Sequence, residues 1–221
     1  MKYGESAFEI LYLLFAIICG IVLIAKARGK TVRMMGAAAL ILGCGDAFHL
    51  VPRVLDAFSD ADFTAALGVG KLVTSITMTV FYVLLFYIWQ RVFSRRAKPA
   101  AAAAVWALAA ARCALCLLPQ NGWLQNSTDM TWGIIRNIPF VILGGAVCAA
   151  YFKTRRENAI FARFWLYILL SFLFYIPVAA GAGAVPMLGM LMLPKTVCYV
   201  LMLIVFLRFA AGENKRFAKT E

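Results

Sequence analysis

The sequence is poor in the residues on which soluble enzymes and metalloproteins depend. It holds one histidine, His49, and only 10 acidic residues against 22 lysines and arginines. Charged residues make up 14% of its 221 residues, while hydrophobic residues make up 64%. Soluble domains are about 45–50% apolar, so this excess predicts a chain whose solvent is lipid. With one histidine and a single Cys-x-x-Cys spacing, Cys113 with Cys116, we expect neither a metal nor another cofactor.

Several hydrophobic runs are long enough to cross a bilayer, which requires about 20 residues of α-helix. They predict an all-α, polytopic membrane protein in which residues 1–221 form a single seven-transmembrane-helix bundle without a separate soluble domain. The first run opens with Glu5 and Glu9 and ends at a basic loop, the opposite charge order to that of a cleaved signal peptide, so we expect a mature helix. The predicted spans are 7–25, 34–54, 66–90, 100–118, 132–151, 163–180 and 186–208.

Lysine and arginine are distributed unevenly between alternate loops. Sixteen of the 22 lie in the segments after the first, third, fifth and seventh spans or at the span edges that border them, whereas the other loops hold Asp56, Asp60, Asp62 and Asp129 and no basic residue. Because cytoplasmic loops carry the positive charge, we expect the N-terminus to lie outside the cell and the C-terminus in the cytoplasm. The chain would then be a multi-pass protein of the cell (plasma or inner) membrane. The net charge of +12 then reflects topology and contact with the lipid bilayer, not a nucleic-acid partner. The sequence indicates no oligomeric state.

Five basic residues fall inside the predicted spans and not at the edges that border the basic segments. A charge at the bilayer centre costs about 2.5–3.5 kcal/mol on the insertion scale, so five cations facing lipid would be prohibitive. The direction of each span places four of them in the outer half of the membrane and the fifth near its middle. We expect them to line a polar cavity biased toward the outside, and a surplus of buried positive charge indicates an anionic ligand. The five are Arg53, Lys71, Arg112, Arg136 and Lys195.

Other polar residues share helix faces with these cations. Asp46, His49 and Arg53 are spaced i, i+3 and i+7 in the second span, and Lys195 and Tyr199 are i and i+4 in the seventh. Asp46 would hold one cation in place, and His49 would make the affinity respond to pH. The predicted ligand-binding residues are Asp46, His49, Arg53, Lys71, Arg112, Arg136, Tyr175, Lys195 and Tyr199.

A purely structural role is the alternative for each cation. Arg53, Lys71 and Arg136 lie within about two turns of a span end, from which a long side chain can reach the outer interface. The remaining two lie deeper, where an ion pair with an aspartate would tie helices together. These alternatives predict partners within the protein and no ligand.

The segment Gly45–Arg53, with the sequence GDAFHLVPR, resembles one in uncharacterised bacterial seven-helix membrane proteins, which implies a class and no activity. The architecture also resembles that of the microbial rhodopsins, and this resemblance implies that Lys195 would carry a retinal Schiff base. That family has a carboxylate one turn before the lysine, where this chain has Leu191. Asp46 and His49 are superficially similar to residues of the alkaline ceramidase and progestin-receptor-like superfamily, whose hydrolases hold zinc with three histidines.

The favoured function is binding or transport of a small anion or an anionic lipid head group that enters from the outer side. Arginine forks onto phosphate and carboxylate groups, which suits the buried arginines. The alternatives are a membrane-embedded enzyme acting on a lipid or isoprenoid, a partner subunit, and a Schiff-base receptor on Lys195. An enzyme would need a nucleophile such as Ser75, Ser171 or Cys44 beside His49, and no spacing indicates that pair. We therefore favour a role without catalysis.

Overall fold

The computed structural model describes residues 2–126, 130–181 and 185–217, and the regular structure in these ranges is entirely helical. It includes seven helices that are long and apolar enough to span a membrane. The prediction of seven such helices and no strands is therefore confirmed for the described residues. The α-helices are α1 (Lys2–Ala25), α2 (Lys30–Phe58), α3 (Thr64–Val92), α4 (Pro99–Leu117), α5 (Met130–Lys153), α6 (Phe164–Gly181) and α7 (Met192–Phe217).

The seventh span differs in kind from its prediction. The predicted span 186–208 begins with a 3-10 helix, Pro186–Leu191, and α-helical geometry starts only at Met192. Proline lacks an N–H and is tolerated in the first turn of a helix, which is where Pro186 and Pro194 lie. Hydropathy reports apolar side chains and not the hydrogen-bond pattern beneath them, so the sequence did not separate the two helix types.

Consecutive helices pack side by side, and α1 also packs against α7, which closes the bundle. The contact between α2 and α3 is especially close because glycines remove side chains from it. A Cβ atom at Gly70 would overlap the carbonyl oxygen of Phe48, and one at Gly45 would overlap Thr77. Thr74 donates its hydroxyl to the carbonyl oxygen of Gly45 at 3.0 Å. The backbones of α2 and α3 therefore hold each other at a fixed spacing.

Large apolar side chains cover the outer surface of the bundle. On α5, Ile134, Ile138 and Ile142 are 42%, 51% and 53% exposed and are spaced four residues apart on one helix face. A water-soluble protein rarely exposes an apolar surface that continues along whole helices. This outer surface suits lipid.

The two ends of the bundle differ in their charges. At one end, called here the N-terminal end, α1 begins and α2 ends, and Arg53 pairs with Glu9 at 3.1 Å. At the opposite end, called the basic end, Arg95 pairs with Glu157 at 2.9 Å in an exposed position. Surface cavities of about 350 and 540 Å³ open at the basic end, one along residues 25–28 and one between α3, α7 and the α5–α6 loop. The predicted ligand-binding residues lie toward the other end.

Candidate functional site

The structure places the deepest predicted cations inside the protein. Arg112 is 1% exposed, Lys195 is 6% exposed and Arg136 is 9% exposed. Arg53 and Lys71 are half-buried, nearer the N-terminal end. The burial of Arg112 and Lys195 agrees with the high free-energy cost of a charge that faces lipid. Arg136, for which the surface was an open alternative, lies inside as well.

Two of the buried arginines lie side by side. Arg112 on α4 donates from Nη1 to the main-chain carbonyl oxygen of Arg136 on α5 at 2.7 Å, and to Oδ1 of the adjacent Asn137. Its guanidinium also lies over the ring of Phe140, 4.3 Å from the centroid. The Nε of Arg112 is buried and has no hydrogen-bond partner among the described residues. Within the described ranges, every partner of this guanidinium is electrically neutral.

Arg136 is held by the loop that joins α4 to α5. Its Nη1 donates to Oδ1 of Asn121 at 2.8 Å, and its guanidinium lies 4.4 Å from the ring centroid of Trp123. Asn121 is 1% exposed and donates its own amide to the carbonyl oxygens of Leu115 and Leu118, each at 2.8 Å. The last carbonyls of a helix lack partners within it, so Asn121 caps α4 while it holds Arg136.

The same loop reaches Lys71 on α3. The Nζ atom of Lys71 donates to Oδ1 of Asn126 at 2.7 Å. Lys71 is also close enough to Arg136 and to Arg53 for mutual repulsion. As with the two arginines, the partner of this cation is a neutral amide oxygen.

Lys195 is surrounded by aromatic rings. Its Nζ lies 4.3 Å from the ring centroid of Tyr175 and 5.5 Å from that of Tyr199. Within the described ranges it donates no hydrogen bond. The hydroxyl of Tyr175 donates to Oδ1 of Asn137 at 2.7 Å, so one tyrosine joins Lys195 to the acceptor of Arg112. The rings offer Lys195 a cation–π contact in place of a counter-ion.

We expected Asp46 to hold a cation, and the structure shows a different hydrogen-bond partner for its carboxylate. Asp46 instead accepts a hydrogen bond of 2.6 Å from the hydroxyl of Tyr12, a buried residue of α1. Lys195 is near enough to Asp46 to attract it, but among the described residues Asp46 makes no ion pair within 4.0 Å. The tight packing of α1 on α2 brings the Tyr12 hydroxyl closer than any cation.

Among the described residues, two carboxylates pair with one of the five cations of the predicted spans, and both lie on α1. Arg53 contacts both Glu5 and Glu9, and Glu9 is 5% exposed. These two glutamates lie one turn apart on α1, so a single guanidinium from α2 uses both. Within the described part of the chain, no other ion pair involves a cation of the predicted spans.

His49 lies amid positive charge. Its Nδ1 is buried and has no hydrogen-bond partner among the described residues, and the charges that reach it come from Arg53, Lys71 and Lys195. Across the described ranges, no group of three or more His, Cys, Asp or Glu residues could hold a metal ion. His49 therefore has cations, and not metal ligands, as its neighbours.

Three residues of this region were missed by the sequence analysis: Asn121, Trp123 and Asn126. All three lie outside the predicted spans, between α4 and α5, where no periodic pattern marks a buried face. A polar side chain directly after a helix end, as Asn121 is after α4, is the signal that indicates a cap. The sequence contains no signal for the contact between Asn121 and Arg136.

The five cations are called here the cation cluster, and most of them lack a carboxylate partner among the described residues. The cation cluster consists of Arg53, Lys71, Arg112, Arg136 and Lys195. Arg53 pairs with the two glutamates. Among the described residues, the hydrogen-bond acceptors of Lys71, Arg112 and Arg136 are amide and carbonyl oxygens, and Lys195 lies against aromatic rings. No family model matches the chain, and neither a curated protein nor a solved structure is significantly similar to it. A functional interpretation must therefore come from the chemistry of these side chains.

Proposed function

We propose that the chain is a multi-pass membrane protein that binds or transports a small anion or an anionic lipid head group at this cluster. The observation that carries the proposal is the pair of buried arginines, Arg112 and Arg136. The side chain of Arg112 contacts the backbone of Arg136, and neither guanidinium pairs with a carboxylate among the described residues. A buried charge without a counter-charge is strongly unfavourable, and an anion would supply one. The free Nε of Arg112 would supply a further donor.

The ligand chemistry follows from the donors. Guanidinium groups bind the oxygens of phosphate and carboxylate through two parallel hydrogen bonds, which are about twice as strong as bonds between neutral groups. The neutral oxygens of Asn121 and Asn137 that now contact the arginines are weaker acceptors than an oxyanion. An anion that reached the pair would therefore compete well for the same N–H groups.

The uneven loop charges support an orientation for this site. Basic loops lie on the cytoplasmic side of most membrane proteins, so the basic end would lie on the cytoplasmic side of a plasma or inner membrane. The N-terminal end, with the cation cluster, would then face outward. The ligand would reach the cluster from outside the cell.

Two alternatives have different support from the side-chain contacts. A lipid-directed enzyme needs an activated nucleophile, but the hydroxyl of Ser171 lies 3.1 Å from that of Tyr82 and donates to the carbonyl oxygen of Ile168. A Schiff-base receptor has one favourable feature, the buried Lys195 near Asp46. Aldehyde chemistry at that lysine is therefore kept as a second candidate.

Binding measurements on the purified protein in nanodiscs test the proposal. Inorganic phosphate and a dicarboxylate would be titrated calorimetrically, and anionic phospholipid would be tested by comparing nanodiscs with and without phosphatidylglycerol. The variant Arg112→Met replaces the guanidinium with an unbranched apolar side chain. We expect it to weaken anion binding by about tenfold or more, which corresponds to the loss of one strong charged hydrogen bond. Arg112→Lys should fall between, because it keeps the charge but not the fork.

The matched control is Arg95→Met. Arg95 is exposed at the basic end, where it pairs with Glu157, and its loss should leave the affinity unchanged. Equal effects of the two methionine variants, or no binding of any of these anions by the unmodified protein, would contradict the proposed function.

A further inference from the structure

One loop supplies partners to two of the cations in the cluster. Residues 119–126, called here the α4–α5 loop, contribute Asn121 and Trp123 to Arg136 and contribute Asn126 to Lys71. The contacts come from both ends of the loop and from its middle, so the loop lies across the N-terminal end of the cluster. It lies between the cations and the side from which the proposed ligand would enter.

We propose that the α4–α5 loop is a lid over the anion site, held closed by amide oxygens that the bound anion replaces. This inference rests on the proposed function, because it assigns the regulation of the same site. Asn121 and Asn126 each present an Oδ1 atom to a cation, at 2.8 and 2.7 Å. These oxygens stand where the oxygens of a phosphate or a carboxylate would bind the same N–H groups.

The two ends of the lid are anchored unequally. At the α4 end, the Asn121 amide donates to carbonyl oxygens of α4, and the Trp123 indole N–H donates to the carbonyl oxygen of Cys116 at 2.7 Å. At the other end, Asn126 is half-buried, and among the described residues its side chain makes one hydrogen bond, which it accepts from Lys71. The lid therefore hinges beside α4 and unlatches at Asn126.

The lid rests directly on α3. A Cβ atom at Gly68 would overlap the main-chain carbonyl oxygen of Trp123, so only glycine allows the loop backbone to lie so close to the helix. Gly122 and Asn126 have φ angles of 58° and 49°, in the left-handed region that glycine and asparagine tolerate best. The loop is thus shaped to bring Asn126 down onto α3 beside Lys71.

The charges make the closed lid replaceable. The charge of Arg136 reaches Lys71 and repels it, and a neutral amide oxygen relieves that repulsion much less than an anion does. Once an oxyanion enters between them, the amides lose their partners and the latch at Asn126 is released. Ligand binding and lid opening are therefore competitive at the same N–H groups.

Replacing the latch amide with a carboxylate tests this competition. The variant Asn126→Asp gives Lys71 a permanent counter-charge, so the lid should stay closed. The control Gln125→Glu adds the same charge to the neighbouring residue, whose side chain is exposed. Hydrogen exchange of the amides of residues 119–126 reports lid opening, and calorimetry with inorganic phosphate or with phosphatidylglycerol nanodiscs reports the anion and distinguishes the free ion from the head group.

We expect Asn126→Asp to slow exchange in the loop and to weaken anion binding by about tenfold or more, whereas Gln125→Glu changes either by less than about twofold. Asn126→Ala should speed exchange, because it removes the latch. If Asn126→Asp and Gln125→Glu behave alike in exchange and in affinity, the lid is excluded while anion binding stands. If the unmodified protein binds neither phosphate nor phosphatidylglycerol, the proposed function fails and the lid inference fails with it.

Discussion

Arg112 donates a hydrogen bond of 2.7 Å to the main-chain carbonyl oxygen of Arg136, so two basic residues are in direct contact inside the bundle. The oxygen of Asn137 accepts from Arg112 as well and is shared with the hydroxyl of Tyr175. One amide oxygen therefore serves an arginine and a tyrosine that itself contacts Lys195. A substitution of Asn137 should therefore alter the contacts of Arg112 and of Tyr175, and through Tyr175 those of Lys195.

The first prediction concerns that shared amide. Asn137→Asp places a carboxylate beside Arg112, which supplies the missing counter-charge. We expect a higher thermal unfolding temperature and loss of anion binding by more than about tenfold, because the internal carboxylate competes with the ligand. Asn137→Leu removes the acceptor and should instead destabilise the protein by about 1–3 kcal/mol. Opposite shifts in unfolding temperature for these two variants would support the assignment, and equal shifts would contradict it.

Close backbone contact between α2 and α3 gives the second prediction. Gly70→Ala should destabilise the protein by about 1–3 kcal/mol, because the new Cβ atom would overlap the carbonyl oxygen of Phe48. Gly145→Ala is the matched control, since nothing lies within 4 Å of a Cβ atom there. Unfolding in a detergent titration measures both variants, and an equal stability for the two would show that α2 and α3 can separate freely.

A third prediction uses pH at the loop between α2 and α3. Hydrogen bonds from the side chain of Thr64 and from its main-chain N–H, the latter 2.9 Å long, lower the pKa of Asp62 below the ordinary value for aspartate. A carboxyl group with a lowered pKa stabilises the folded state above its unfolded pKa, and the effect is lost as the pH falls through the folded pKa. Asp62→Asn should therefore lower the unfolding temperature at neutral pH and have a vanishing effect in acid.

Asp60 provides the control for this pH effect. It lies in the same exposed loop and, within the described part of the chain, accepts no hydrogen bond. Asp60→Asn should leave the unfolding temperature unchanged at both pH values. A pH-independent effect of Asp62→Asn would mean that the charge of Asp62 does not stabilise the start of α3.

The fourth prediction separates the two roles of Lys195. As a charged anion anchor, Lys195 should tolerate Lys195→Arg with partial retention of anion binding, whereas Lys195→Met should lose most of it. As a Schiff-base lysine, it should produce a visible absorbance band when retinal is added, and both substitutions should abolish that band. Appearance of the band overturns the anchor role. If neither substitution changes any bound molecule, Lys195 serves only to hold Tyr175 and Tyr199.

The fifth prediction concerns topology. The basic loops lead us to expect a reporter fused to the C-terminus to be active in the cytoplasm and one fused to the N-terminus to be active outside. Tags after Arg95 and after Asp60 would provide internal checks, because they lie at opposite ends of the bundle. A C-terminal tag that is accessible from outside would reverse the orientation and would place the cation cluster toward the cytoplasm.

The helices were predictable because hydropathy marks them directly, and the burial of Arg112 followed from the cost of placing it in lipid. The partners were harder to predict. Asp46 was expected to meet a cation, but the packing of α1 on α2 gives it Tyr12 instead. Which of several polar groups comes within hydrogen-bond distance depends on helix rotation and spacing, and those are set by contacts such as Gly45 with Thr77 that are distant in sequence.

The loop between α4 and α5 shows the same limit more clearly. Asn121 and Asn126 are ordinary loop residues in the sequence, and their positions depend on Gly68, which precedes them by more than 50 residues. Sequence patterns report periodic burial within one element. Contacts between a loop and a distant helix leave no periodic trace.

The pairing of Arg112 with α5 also has a consequence for how the protein is made. Its acceptors belong to Arg136 and Asn137, 24 and 25 residues later in the chain, so α4 is synthesised before they exist. Alone in a bilayer, α4 would carry an unpaired guanidinium at a cost of about 2.5–3.5 kcal/mol on the insertion scale. We therefore expect the translocon to release α4 and α5 together as a hairpin, and a chain truncated between them to leave α4 poorly inserted.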